Sequence, residues 1–357
     1  MFQTSHILTL LHKAALLIAA LCAFSCTALA CQICIPYPKK SAADHLIESD
    51  AVVFAREDPD RPFHFSAIET LKGDPGNQPI DLFLDSSTRR ILAIHPERSI
   101  VLGQSHLEGE PTWRRIGLIN KDTELLVRNI LKKATHWVEH PEQRPAFFAH
   151  LIGHEAPQVS TLAHLELARA PYSEIRRHGD ALSRDQIHAF LNNIRYAEWH
   201  PLYILLLAQS DNSDDHIQIR DAIENAANYQ SKLNLSAWAT ALIEIDQNGG
   251  IQTLTHHYLS QSSRSREELE AILTALSVQG GSNSGDLQDL ILPAYQVALE
   301  THPDLAPLVV QDLVQWRRDD LASSVAKIAS TRPPLFDLTT TLKLRNYARM
   351  TFAPAEK

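Results

Sequence analysis

The sequence predicts an α+β fold in which a small N-terminal β-barrel is followed by a larger all-α helical-repeat domain. Three observations predict it: an apolar leader, about five short segments of strand type before residue 120, and helical periodicity from Thr123 onward. Hydrophobic residues make up 44% of the 357 residues, which is enough to bury a sizeable core. We therefore divide the chain into a signal peptide (1–30), a β domain (31–121), a helical domain (122–352) and a C-terminal tail (353–357).

The leader has the pattern of a secretory signal. Lys13 precedes an apolar run over residues 14–24, which is shorter than the roughly 20 apolar residues that a membrane span needs. Residues 28–30 read Ala-Leu-Ala, a small-x-small pattern behind which signal peptidase cleaves. We expect an exported protein of the bacterial periplasm or cell envelope.

The segment after the leader begins with two cysteines, Cys31 and Cys34, which are a disulfide candidate in an oxidising compartment. Pro36 and Pro38 follow closely and favour an extended segment over the helix start that a redox dithiol uses. Haem attachment needs a histidine where Ile35 stands. Lipidation of Cys31 is an open alternative, and it would tether the protein to a membrane.

The β domain is predicted from short apolar or alternating segments separated by turns. A helix is predicted first, over residues 41–49, and residues 72–77 (Lys-Gly-Asp-Pro-Gly-Asn) predict a turn. Five short strands with one helix form a small barrel or sandwich. The predicted strands cover residues 51–55, 63–69, 80–84, 99–103 and 113–119.

The helical domain has marked helix starts. Ser183 with Gln186, and Ser265 with Glu268, have the spacing of a capping box, in which side chains satisfy free N–H groups of the first turn. The pairs Gly249-Gly250 and Gly280-Gly281 predict helix ends.

Apolar segments recur along this domain at a nearly constant interval. They begin at residues 205, 241 and 275, so their spacings are 241 − 205 = 36 and 275 − 241 = 34. Such intervals are typical of stacked helical repeats. The rhythm favours an α-solenoid, and a compact helical bundle is the alternative.

Two parts of the chain resemble known families. Cys31-x-x-Cys34, residues 49–54 (Ser-Asp-Ala-Val-Val-Phe) and residues 69–73 (Glu-Thr-Leu-Lys-Gly) resemble the netrin-like OB-fold of the tissue inhibitors of metalloproteinases and its bacterial relatives. Residues 166–172, 202–206 and 312–316 are similar to an uncharacterised family of exported bacterial proteins with HEAT-like helical repeats. The resemblance implies an OB-like barrel and a HEAT-like array, and the second family brings no known activity.

The inhibitor family implies one mechanism. Its N-terminal cysteine offers its α-amine and carbonyl oxygen to the open coordination position of a protease zinc. Cleavage after Ala30 would give Cys31 this zinc-capping place. The chain departs from the family pattern, because it has CxxC in place of CxC and lacks the distant cysteines to which the family ties these residues.

No catalytic constellation stands out. His150 and His154 have a spacing that a metal can use, but Glu155 follows them where HExxH has its glutamate between them, so we interpret both as surface or hydrogen-bonded histidines. Residues 211–215 resemble a calcium loop, yet Ala222 stands where the loop has its glutamate, and a helix N-terminus explains these acids better. We predict no catalytic, cofactor-binding or metal-binding residues.

These observations predict a protein-binding or scaffold module of the cell envelope. The formal net charge of −9 argues against a nucleic-acid partner, which needs a concentrated basic face. Stacked helical repeats present extended concave faces, so we expect protein partners. A metallopeptidase inhibitor acting through Cys31 and an enzyme with an unrecognised site are the two alternatives.

Overall fold

A computed structural model of the chain describes residues 40–107, 110–282, 285–331 and 335–352. These residues all belong to one compact unit, Cys31–Lys357. The predicted signal peptide, both cysteines of the mature chain and the predicted tail at 353–357 lie outside the described residues.

The N-terminal part is a five-stranded antiparallel sheet, as the alternating pattern predicts. The strands follow the order β3-β2-β1-β4-β5, and contacts between β3 and β5 curl the sheet into a nearly closed barrel. Helix α1 is the predicted one, whereas α2 was not predicted. The elements are α1 (Ala42–Glu48), β1 (Ala51–Asp58), β2 (Arg61–Lys72), β3 (Ile80–Phe83), α2 (Ser86–Ile94), β4 (Ser99–Leu107) and β5 (Glu110–Ile119).

Strand β1 is apolar throughout its first half because it is buried on both faces. Successive side chains of a strand point to opposite faces of the sheet. Val53 and Ala55 lie in a core inside the barrel, while Val52 and Phe54 belong to the core that the barrel shares with the helices. The sheet and the helices are therefore joined by a continuous apolar core.

The change from strand to helix falls at Asn120, beside the predicted boundary at 121/122, and the separation into two domains there stays a prediction. Among the described residues, no helix has both the length and the apolar character needed to cross a membrane. Short 3₁₀ segments cover Ile194–Trp199 and Pro303–Leu305, and a π turn covers Thr255–Leu259. The helices are α3 (Lys121–Glu139), α4 (Gln143–Ala149), α5 (Pro157–Ala168), α6 (Tyr172–Arg177), α7 (Arg184–Leu191), α8 (His200–Leu207), α9 (Ser213–Tyr229), α10 (Leu235–Asp246), α11 (Asn248–Leu254), α12 (Arg266–Ser282), α13 (Gly285–Thr301), α14 (Ala306–Gln315), α15 (Ala322–Ala329) and α16 (Leu338–Tyr347).

The helices pack in two rows. One row consists of four helices that contact one another in succession: α8, α10, α12 and α14. The second row lies beside it. In that row α9 packs on α10, and the later helices α13 and α15 contact each other. The apolar segments that begin at residues 205, 241 and 275 lie in α8, α10 and α12, so the predicted rhythm marks successive helices of one row.

The predicted helix starts are confirmed. The capping box of Ser183 and Gln186 forms at α7, and Ser265 and Glu268 exchange both hydrogen bonds at α12. The acids at 214 and 215 lie in the first turn of α9, where negative charge complements the free N–H groups.

The predicted helix end at Gly249-Gly250 is wrong, because this pair lies in the first turn of α11, whereas Gly280-Gly281 lies directly before Ser282, the last residue of α12. A Cβ atom on Gly250 would stand 2.7 Å from the carbonyl oxygen of Leu242, and one on Gly280 would stand 2.2 Å from Cζ2 of Trp316. These glycines let helices approach closely. The break between α10 and α11 falls instead at Gln247, which has a φ of 46°.

Candidate functional site

A groove of about 720 Å³ runs between strand β2 and helix α3. The apolar part of its lining comes from three elements and consists of Ile47, Leu71, Leu131, Ala134 and Val138. Charged side chains share the lining: Glu69, Lys72, Arg128, Lys132 and Glu139. The groove thus combines an apolar surface with charged side chains.

The groove follows a free edge of the sheet. Four consecutive residues of β2, from Glu69 to Lys72, line it, and the pairing of this stretch with β1 is irregular between Thr70 and Lys72. On that side, the pairing of β3 with β2 involves only His64 and Phe65. In the described part of the chain, no strand pairs with the outer edge of β2 beyond Phe65.

One arginine ties the two walls of the groove together. Both terminal nitrogens of Arg128 on α3 donate to the Glu69 carboxylate at 2.7 Å, and Nη2 also donates to Glu124 at 2.8 Å. The hydrogen bond from Arg128 holds the pKa of Glu69 below its usual range. The guanidinium also lies 5.2 Å from the centre of the Phe54 ring. This arginine therefore bridges β2 and α3.

The remaining charges of the groove are arranged differently. Nζ of Lys72 donates to the carbonyl oxygen of Ile47 at 2.7 Å, and burial lowers the pKa of this lysine. Lys132 and Glu139 are exposed, and within the described residues neither forms an ion pair. Val138 is apolar, yet its side chain is 79% exposed. It lies beside Lys132 and Glu139, whose charges are not paired among the residues described.

A histidine–glutamate cluster stands at the end of the same helix. His136 and Glu139 lie in the last turn of α3 and His140 is its C-cap, so all three stand within one turn. Their ligand atoms lie within 4.8 Å of one another, and all three residues are exposed. None of the three was predicted from the sequence, although His-x-x-Glu-His is a spacing known in metal-binding helices.

The histidine pair that the sequence did single out is not arranged on a helix. Helix α4 ends at Ala149, so His150 is its C-cap and His154 lies in the following loop. Nδ1 of His154 accepts a hydrogen bond from the backbone N–H of Ala156 at 3.0 Å. The pair therefore lacks the one-turn stacking that its spacing would give within a helix.

A second, more polar cleft of about 350 Å³ lies on the helical array. At its wall, the carboxylate of Glu244 accepts hydrogen bonds from the Tyr172 hydroxyl at 2.9 Å and from Arg176 at 2.6 Å. Gln279 donates to the same carboxylate and to the carbonyl oxygen of Thr240. Burial, and then the charge of Glu244, raise the pKa of Tyr172 well above its usual value. These bonds connect α6, α10 and α12, so the cluster holds the array together.

The zinc-capping and disulfide hypotheses for Cys31 and Cys34 concern residues outside the described ranges and stay predictions. Comparison of the chain with models of protein families, with curated proteins and with solved structures finds no match.

Proposed function

We propose that this chain is an exported protein-binding module of the cell envelope, and that the groove between β2 and α3 receives an extended segment of a partner protein. The observation that carries the proposal is the free edge of β2 along a groove with an apolar lining. A free strand edge presents unpaired N–H and C=O groups, and peptides bind such edges by adding a strand.

Strand addition explains the distribution of side chains in the groove. The backbone of the partner segment would hydrogen-bond to β2, while every second side chain would point toward Leu71, Leu131 and Val138. Backbone pairing supplies affinity in this mode, and the pockets for alternate side chains supply specificity. Desolvation of the bare Val138 side chain adds to the free energy of binding.

The charges of the groove favour an acidic segment. Its lining carries three basic and two acidic side chains, whereas the whole chain has a formal net charge of −9. Arg128 neutralises one of the two acids, Glu69, through a bidentate ion pair. The partner segment is therefore one that alternates apolar side chains with aspartate or glutamate, placed to meet Lys132.

The wider architecture supports the same reading. We propose that the barrel is OB-like, that the helices form a HEAT-like array, and that the two act as domains 31–121 and 122–352. The support is a nearly closed five-stranded barrel and a two-row packing of helices. In this view α3, the first helix of the array, forms one wall of the groove and the barrel forms the other.

A site-specific crosslinking experiment tests the proposal. A photo-reactive amino acid at the exposed Thr70 is expected to give a discrete adduct with one envelope protein in the native host. Val138→Asp is expected to abolish that adduct, because it places a charge on the apolar wall. The matched control is Ile194→Asp, since Ile194 is 83% exposed and lies far along the chain from the groove residues. The proposal is contradicted if the adduct still forms in Val138→Asp. It is also contradicted if the protein without this substitution gives no adduct.

A further inference from the structure

The cluster at the end of α3 has the composition of a metal site. Two imidazoles and a carboxylate are a ligand set that catalytic zinc sites use, with the remaining coordination position open. The ring centres of His136 and His140 are 4.6 Å apart, so the two rings already stand side by side. With Glu139 between them, all three ligand atoms lie within 4.8 Å, and small rotations of exposed side chains bring them to one ion.

A neighbouring amide orients one of the rings. Nε2 of His136 and Oε1 of Gln143 are 2.9 Å apart. An amide oxygen only accepts, so Nε2 carries the proton of the neutral ring and the free lone pair is on Nδ1. Partners of this kind fix the tautomer of metal-binding histidines and increase their basicity.

The surroundings favour a cation as well. The C-terminal end of a helix carries a partial negative charge from its free carbonyl groups, and the cluster occupies that end of α3. Glu142 contributes a further carboxylate, 3.7 Å from Nδ1 of His140. Of the lysines in the preceding turn, Lys133 places its ammonium 5.7 Å from the centre of the Phe147 ring. The other, Lys132, lines the groove.

We propose that His136, Glu139 and His140 bind one zinc ion at the end of the groove. Three protein ligands leave a coordination position for water or for an incoming side chain. Because Glu139 also lines the groove, zinc binding replaces a negative charge by a net positive one at that border. The site is independent of strand addition, and zinc binds whether or not the groove holds a segment.

Calorimetric titration of the untagged, purified protein with zinc chloride tests the site, with the thiols alkylated so that Cys31 and Cys34 cannot compete. One zinc ion per chain is expected. Gln143→Ala should lower the affinity about 10- to 100-fold, since loss of an orienting partner has that effect at other metal sites. His136→Gln and His140→Gln should each lower it further, because each removes a ligand.

The matched control is the double variant His150→Gln/His154→Gln, which removes two histidines of the same spacing elsewhere and should leave zinc affinity unchanged. Far-UV circular dichroism checks that the exposed substitutions preserve the fold. The proposal is overturned if the parent protein binds no zinc, or if His136→Gln/His140→Gln binds it as tightly as the parent.

Discussion

Two aspartates at opposite ends of the described chain are buried to nearly the same extent, yet they ionise differently. Asp44 on α1 is 8% exposed and Asp312 on α14 is 7% exposed. Burial by itself raises the pKa of a carboxyl group. The pKa is about 2 for Asp44 and about 6 for Asp312. The two acids differ in the charge of their partners, and these partners separate the directions of the two pKa shifts.

The partners of Asp44 are cationic. Burial raises its pKa, but the backbone N–H of Ser41 and the guanidinium groups of Arg144 and Arg169 outweigh that effect. Both arginines donate at 2.6 Å, and Arg144 also donates to Glu166 at 2.8 Å. This network joins α1, which precedes the barrel, to α4 and α5 of the helical array.

The partners of Asp312 are neutral. The hydroxyl of Ser277 donates at 2.7 Å and the hydroxyl of Tyr295 also donates. These bonds lower the pKa less than burial raises it. The helical array therefore holds a carboxyl group that takes up a proton in mildly acidic solution, whereas the junction with the barrel holds one that stays ionised.

Removing the charge partner at the junction should have the largest effect. Arg144→Met keeps the apolar stem of the side chain but leaves Asp44 and Glu166, two buried acids, with the guanidinium of Arg169 alone. Loss of one member of a buried ion pair costs about 3–5 kcal/mol, so we expect that decrease in the free energy of unfolding. Urea denaturation measures it, and a decrease below about 1 kcal/mol would show that the network is not a significant link.

The pH dependence of Asp312 should be the next largest effect. Its folded pKa lies above the ordinary value, so its contribution to stability is fully present below the unfolded pKa and is lost as the pH rises through about 6. The shift from 3.8 to about 6 corresponds to about 3 kcal/mol. We expect the parent protein to lose stability relative to Asp312→Asn between pH 4 and pH 7. A constant difference over that range would contradict the neutral-partner interpretation.

The pH dependence of Asp44 should have the opposite sign and a smaller size. Its folded pKa is lowered, so its contribution is present above the unfolded pKa and is lost as the pH falls from 3.8 toward about 2. That shift corresponds to about 2 kcal/mol. The stability advantage of the parent over Asp44→Asn should therefore shrink below pH 4, as measured by urea denaturation at each pH. An advantage that grows on acidification would be inconsistent with the arginine partners.

The smallest effect is expected at the groove, where the ion pair is exposed. Arg128 and Glu69 are 41% and 44% exposed, and exposed pairs contribute about 0–1 kcal/mol. Arg128→Ala should therefore change the free energy of unfolding by less than about 1 kcal/mol. The change should be larger at low salt, because salt screens exposed charges. Thermal or urea denaturation at two salt concentrations measures this change. A decrease in the free energy of unfolding as large as that of Arg144→Met would contradict the distinction between the buried and the exposed ion pairs.

The sequence predicted the elements whose pattern is local. All five strands were found because alternation and turn residues are visible within a few residues, as in residues 80–84 against the observed Ile80–Phe83. Helix α2 was missed because Leu92 is the only apolar residue of it that is buried, so no apolar stripe marks it. The pair Gly249-Gly250 was misread because the group that requires Gly250 to lack a side chain, the carbonyl oxygen of Leu242, lies on the preceding helix.

The candidate site could not be predicted for the same reason. Its walls, residues 69–72 and 128–139, are separated by more than fifty residues, and no local pattern shows that they face each other. Likewise, nothing near Asp44 or Asp312 in the sequence indicates that one has arginines and the other hydroxyls as partners. The histidine cluster was within reach of sequence reasoning, since His136, Glu139 and His140 are three residues of one five-residue motif.

The most direct test of the central claim is amide hydrogen exchange of the protein with and without a synthetic peptide of the segment crosslinked at Thr70. Strand addition predicts slower exchange along residues 66–72 of β2, because the peptide would pair with their free backbone groups. Unchanged exchange there, with protection appearing only in the helical array, would contradict the claim that the groove is the binding site.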